Sequence, residues 1–144
     1  MKSLTITLIL TFALTAASYA AGNPSEKIEI RQNSISSLLI GLNSDNLGLK
    51  SSCAYMLGEL KVTGAVVPLM KILRGDKNED LRIAAALALY KIGTPLAINA
   101  VKQSARFDES RRVSKLCASF YNQYLKIKLN DEEKYQYAVN MKEK

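Results

Sequence analysis

The stretch LRIAAALALYKI (81–92) repeats an earlier part of the chain. Set over LKSSCAYMLGEL (49–60), it pairs Leu81 with Leu49, Arg82 with Lys50, Leu89 with Leu57 and Ile92 with Leu60, each 32 residues apart. A weaker copy, RRVSKLCASFY (111–121), sets Arg112 against Arg82 at a separation of 30. Between the copies lie TGAVVPLMKILRG (63–75) and TPLAINAVKQSAR (94–106), each with the spacing of one further helix. A period of about 31 residues with two helices per unit is the pattern of an α-solenoid, whose units bury their apolar faces only by stacking on neighbours. The expected fold is all-α, a short solenoid of roughly three helix pairs. No segment reads as a strand.

Local signals agree with that division. Leu81, Ala84, Ala85, Ala88, Leu89 and Ile92 recur at three- and four-residue steps, which defines one buried helix face. Alanine at so many of these positions predicts close approach of a second helix. Asp45, Asn78 and Asp108 each precede a helical pattern and are suited to cap its free N–H groups. Thr94 followed by Pro95 is a cap with proline at the first helical position. Gly75 stands where the helix before it should stop.

With these residues in view, 57–93 resembles the HEAT-like repeats of the phycobilin-lyase type. The matching elements are Leu81-Arg82, the run Ala84 to Ala88, Leu57-Gly58-Glu59-Leu60 and Ala65 to Leu69. The good match covers residues 45 to about 101, with 25–43 and 104–129 as degraded terminal units. The resemblance implies an armadillo-like superhelix and says little about activity. Three departures stand out. Tyr90 replaces a usual glycine, so the following helix is expected to sit differently; Val62 replaces a capping Asp; Tyr55 and Leu87 occupy a position commonly polar in such repeats.

The N-terminus reads as a secretory signal: Lys2, an apolar run from Leu4 to Ala17, and Ser18-Tyr19-Ala20 as a small-x-small cleavage site. The expected organisation is a signal peptide at 1–20, a repeat domain at 21–129 and a capping helix or tail at 130–144. No cysteine directly follows the cleavage site, so a lipoprotein anchor is not expected, and no later apolar run is long enough to span a bilayer. The chain is expected to be exported, periplasmic or secreted. The whole sequence carries a formal charge of +7. Removing the signal, with Lys2 and no acid, leaves 7 − 1 = +6, which favours anionic partners such as acidic proteins, lipid head groups or polyanions without specifying which. Nucleic acid is not expected, because charge is its only supporting signal.

The absent chemistry is informative. There is no histidine, which removes Ser-His-Asp and Cys-His arrangements, HExxH zinc sites and the His-Glu motifs by which some HEAT-like proteins hold iron. No catalytic residue, metal site or cofactor is expected. Cys53 and Cys117 fall on apolar helix faces, where free cysteine acts as a small hydrophobe. They lie two repeats apart and are expected not to pair. Asp131, Glu132 and Glu133 read as a solvated helix N-terminus rather than a cation site.

Two surfaces are candidate partner sites. Lys50, Arg82 and Arg112, matched across the copies, should stack as a basic ladder. It is either an anion-binding strip or a set of charges neutralised by Asp45, Asp80 and Asp108 in adjacent turns. Ser51-Tyr55, Ile83-Leu87 and Val113-Cys117 are four-residue pairs on the second helices, which line the inner curve of such solenoids. Tyr55, Ile83 and Leu87 then form an apolar patch, either an exposed partner site or a surface covered by the chain's own ends. The leading functional reading is a non-catalytic scaffold binding an unknown, acidic protein through the concave face, as a monomer or with weak self-association. An enzyme accessory or lyase-like protein, and a self-assembling structural module, are the alternatives.

Overall fold

A computed structural model describes the backbone of residues 24–142 and the side chains of 32–135. The proposed signal segment lies outside the described residues. The chain divides into two units, 1–36 and 37–144. The described part of the first, from Pro24, is helical, and everything argued below concerns the second.

The helices are α1 (Pro24–Gly41), α2 (Leu47–Glu59), α3 (Val66–Gly75), α4 (Glu79–Ile92), α5 (Pro95–Phe107) and α6 (Arg111–Lys142), with a short 3-10 turn at Thr63–Ala65. Among the described residues there is no strand. This is the all-α solenoid of three helix pairs that the repeat predicts. The second helices α2, α4 and α6 form one layer and α3 and α5 the other, with α4 packed on all four neighbours.

Four of the helices, α2, α4, α5 and α6, start where a side chain satisfies a free N–H group, whereas α3 starts at Ala65 without one. Asn46 accepts from Leu49 N at 3.0 Å, Asn78 from Leu81 N at 3.1 Å, and Thr94 from Ala97 N at 3.3 Å ahead of Pro95. At α6 the hydroxyl of Ser110 receives Val113 N at 3.4 Å. Two expected caps are therefore corrected: Asn46 and Ser110 take the places read for Asp45 and Asp108. The reason lies two residues earlier, where Asp108 Oδ1 instead accepts the backbone N–H of Ser110 at 2.9 Å, as Asp76 does for Asn78.

These caps fix the register. Asn46, Asn78 and Ser110 are spaced by 32, and the same step relates buried Ala65, Val66 and Leu69 to buried Ala97, Ile98 and Val101. The third copy is thus offset by 32 rather than 30. Two residues turn a helix by about 200°, so the slip moves side chains to the opposite face. Ser114, not Arg112, is the equivalent of Lys50 and Arg82, and Val113 and Cys117 are core residues.

The core runs between the layers. Leu57, Leu69, Leu73, Leu89, Val101, Val113 and Cys117 are fully buried. Cys53, Ala85 and Cys117 form one rung at 32-residue steps, all buried, and both cysteines are free. The alanines do what their size suggests. A Cβ added to Gly58 would lie 2.7 Å from the Ala88 Cα, so α2 and α4 touch almost backbone to backbone. Tyr90, the equivalent of Gly58, stacks on Phe120 at a ring separation of 5.7 Å, and α6 packs less closely on α4 than α2 does.

One further reading is corrected. Asp131, Glu132 and Glu133 lie in the middle of α6, exposed, rather than at a helix N-terminus. The segment 111–142 contains neither glycine nor proline, so nothing interrupts it.

Candidate functional site

The 32-residue register sorts the proposed site residues onto two faces. Lys50 and Arg82 point to the turns between paired helices. Lys50 Nζ lies 3.3 Å from Asp76 Oδ2. Arg82 makes a two-pronged contact with Asp108, Nε to Oδ2 at 3.2 Å and Nη2 to Oδ1 at 3.0 Å, and donates from Nη1 to the Asp76 carbonyl at 2.9 Å. Both links span 26 residues and join a second helix to the turn that opens the next one. Ser114 ends the series by donating to the Ala105 carbonyl at 2.6 Å. The ladder is thus an internal brace. The Arg82 guanidinium is held above its ordinary pKa chiefly by its hydrogen bond to Asp108.

Tyr55, Leu87 and Arg112 fall on a different face, the outward side of the second helices. Tyr55 is 48 % exposed and Leu87 half-buried, at equivalent positions of α2 and α4. Ile83 is more enclosed and packs against the core. Arg112 Nη1 meets Asp80 Oδ1 at 2.7 Å, and Glu59 meets Lys91; each pair joins equivalent positions of neighbouring helices. The Lys91 ammonium also lies 4.3 Å from the Tyr55 ring centroid. Glu59 is held below the usual carboxylate range by its hydrogen bond to Lys91 first and to Tyr55 second, and Lys91 is raised by the reciprocal bond.

The outer face is therefore an apolar rung, Tyr55 and Leu87, bordered by two ion-paired rungs. Arg111, Arg112 and Lys115 are exposed at its α6 end. Of the residues proposed from sequence, Tyr55, Leu87 and Arg112 share this face, with Ile83 at its inner edge. Lys50 and Arg82 do not. The sequence reading missed Asp76 as the partner of Lys50, and the Glu59–Lys91 rung. Both follow from the 32-residue step, which relates Asp76 to Asp108 and Glu59 to Lys91.

Among the described residues, no group of three or more His, Cys, Asp or Glu side chains is placed to hold a metal. No described helix is long and apolar enough to cross a membrane. Stacked helix pairs, braced at their turns and presenting a rung-patterned face, define a helical-repeat scaffold. A model of HEAT repeats matches residues 35–119, and the chain belongs to that family. Among solved structures it is similar to human deoxyhypusine hydroxylase in complex with glycerol, at 27 % identity and a TM-score of 0.57. That match covers 62 % of this chain and only 31 % of the hydroxylase. No curated protein matches.

Proposed function

We propose that this chain is an exported, non-catalytic HEAT-repeat scaffold that binds an acidic protein segment through the solvent-facing side of α2, α4 and α6, the side read from the sequence as the concave face. The carrying observation is the Tyr55–Leu87 rung, apolar at a position usually polar in similar repeats and bordered by cationic side chains. Aromatic and aliphatic anchors provide short-range affinity, while exposed cations mainly raise association rate and salt sensitivity. In this reading Arg111, Arg112 and Lys115 steer the partner, and Lys50 and Arg82 hold the platform. The lack of histidine in the sequence supports a binding role over the hydrolytic and iron-dependent chemistries considered above.

The test uses immobilised protein and the exported fraction of the source cells. Tyr55→Ala and Leu87→Asp should lose the partner with helicity unchanged, while Arg112→Gln should slow association and flatten its salt dependence. Capture that survives Tyr55→Ala and Leu87→Asp in folded protein would remove this face from consideration.

A further inference from the structure

The two ends of the helix stack differ. At the α6 end the first turns of the outermost helix present Arg111, Lys115 and Asn122, with Leu125 and Leu129 exposed further along the same helix. The α2 end is not finished in this way. Leu49, Met56 and Leu60 stand one period before Leu81, Ala88 and Ile92, the residues that α4 turns toward α2. Leu81 and Ile92 are 3 % and 8 % exposed, whereas Leu49, Met56 and Leu60 are 49 %, 45 % and 39 % exposed. The same stacking surface is closed in one repeat and open in the other.

We propose that this strip of α2 is a homodimer interface, occupied by α2 of a second copy running antiparallel across a two-fold axis. A head-to-tail arrangement would set the apolar strip on the first turns of α6, where Arg111 and Lys115 stand. A two-fold arrangement sets the strip on itself. Leu49, Ser52, Met56 and Leu60 recur at three- and four-residue steps with no charge among them, and small Ser52 leaves room for the larger side chains of the opposing helix.

Charge complementarity fixes the direction. Asp45 precedes α2 and Lys61 follows it; both are exposed, and neither forms an ion pair among the described residues. Antiparallel packing brings Asp45 of each copy toward Lys61 of the other, whereas parallel packing sets like charges together. The helix dipoles favour the same direction. The strip is one helix wide, so association is weak and concentration-dependent.

Sedimentation equilibrium on the purified protein tests this. The mass should rise from one chain to two with concentration. Leu49→Glu and Met56→Glu should each weaken the dimer at least about tenfold, since each sets an unpaired charge in the interface. Leu96→Glu, at an exposed site on α5, should not. Asp45→Lys and Lys61→Asp should each weaken it, and the double exchange should restore it. A single-chain mass throughout overturns the proposal; if Met56 then resists peroxide, another segment of the same chain covers the strip. A dimer insensitive to Leu49→Glu and Met56→Glu overturns it as well.

Discussion

Arg82 and Asp108 lie 26 residues apart in sequence and face each other through two near-parallel hydrogen bonds of 3.0 and 3.2 Å, with side chains only 13 % and 7 % exposed. The pair ties the central helix to the turn that starts α6. Removing one member leaves the other charged and poorly solvated, which for a buried pair costs about 3–5 kcal/mol. Asp108→Asn should therefore lower the urea midpoint with little change in slope. Arg82→Lys should also destabilise, because an ammonium lacks the planar fork. Asp76→Asn should cost less, since Lys50 contacts Asp76 by one longer bond at 3.3 Å. Equal losses at both sites would show that the fork geometry is irrelevant.

Close approach of α2 and α4 gives the second prediction. On an exposed helix, Gly→Ala stabilises by about 1 kcal/mol. At Gly58 the sign should reverse, because the new Cβ would meet the Ala88 backbone and the helices would have to separate. Ala85 is fully buried, and Ala85→Leu should cost about 1–3 kcal/mol by overpacking. Thermal melts of both variants decide it. A rise in melting temperature for Gly58→Ala would mean that the helices have slack between them.

How far the sequence revealed this arrangement depended on register. Leu49 over Leu81 and Leu57 over Leu89 were legible because bulky apolar side chains mark the buried face directly. The third copy was not, since two arginines at 111 and 112 imitate the Leu81-Arg82 pair and draw the alignment two residues out. The caps, Asn46, Asn78 and Ser110, reveal the true step, and cap identity turns on which of several polar neighbours reaches the N–H groups. That one slip displaced Arg112 from the binding face to the brace and hid Ser114. The separation of the Lys50 ladder from the Tyr55 patch was legible, but Asp76 as the partner of Lys50 was not, because it depends on where that turn lies in space.

The turns after α2 and α4 supply a third prediction. Lys61 has φ of 50° and Gly93, 32 residues later, φ of 72°. A left-handed residue with a Cβ is strained by about 1–2 kcal/mol, which glycine avoids. Glycine also loosens the unfolded chain, offsetting about 0.4–1 kcal/mol of the gain. Lys61→Gly should therefore stabilise by up to about 1 kcal/mol, and Gly93→Ala should destabilise by a similar amount. Denaturant titration of the pair is the check. Destabilisation by Lys61→Gly would mean that the lysine side chain makes a contribution larger than the strain it introduces.

The cysteines give the last prediction. Cys117 is buried and its thiol is pushed up to about 12, first by burial and then by the nearby Asp108 charge, with Arg82 opposing. A thiol is reactive only as the thiolate, so native Cys117 should resist thiol reagents at pH 8, and labelling should follow the rate of unfolding. Denatured, non-reduced protein should give two free thiols, because Cys53 and Cys117 are separated by the whole width of α4. In the unfolded chain a cysteine ionises near 8.5. The native state holds the proton more tightly, so its contribution is complete below that pH and fades as pH rises toward 12. Stability should accordingly fall across the alkaline range, and Cys117→Ala should flatten that fall while costing some packing. Rapid labelling of Cys117 at pH 8 without unfolding would contradict the buried rung of Cys53, Ala85 and Cys117 that sets the repeat register.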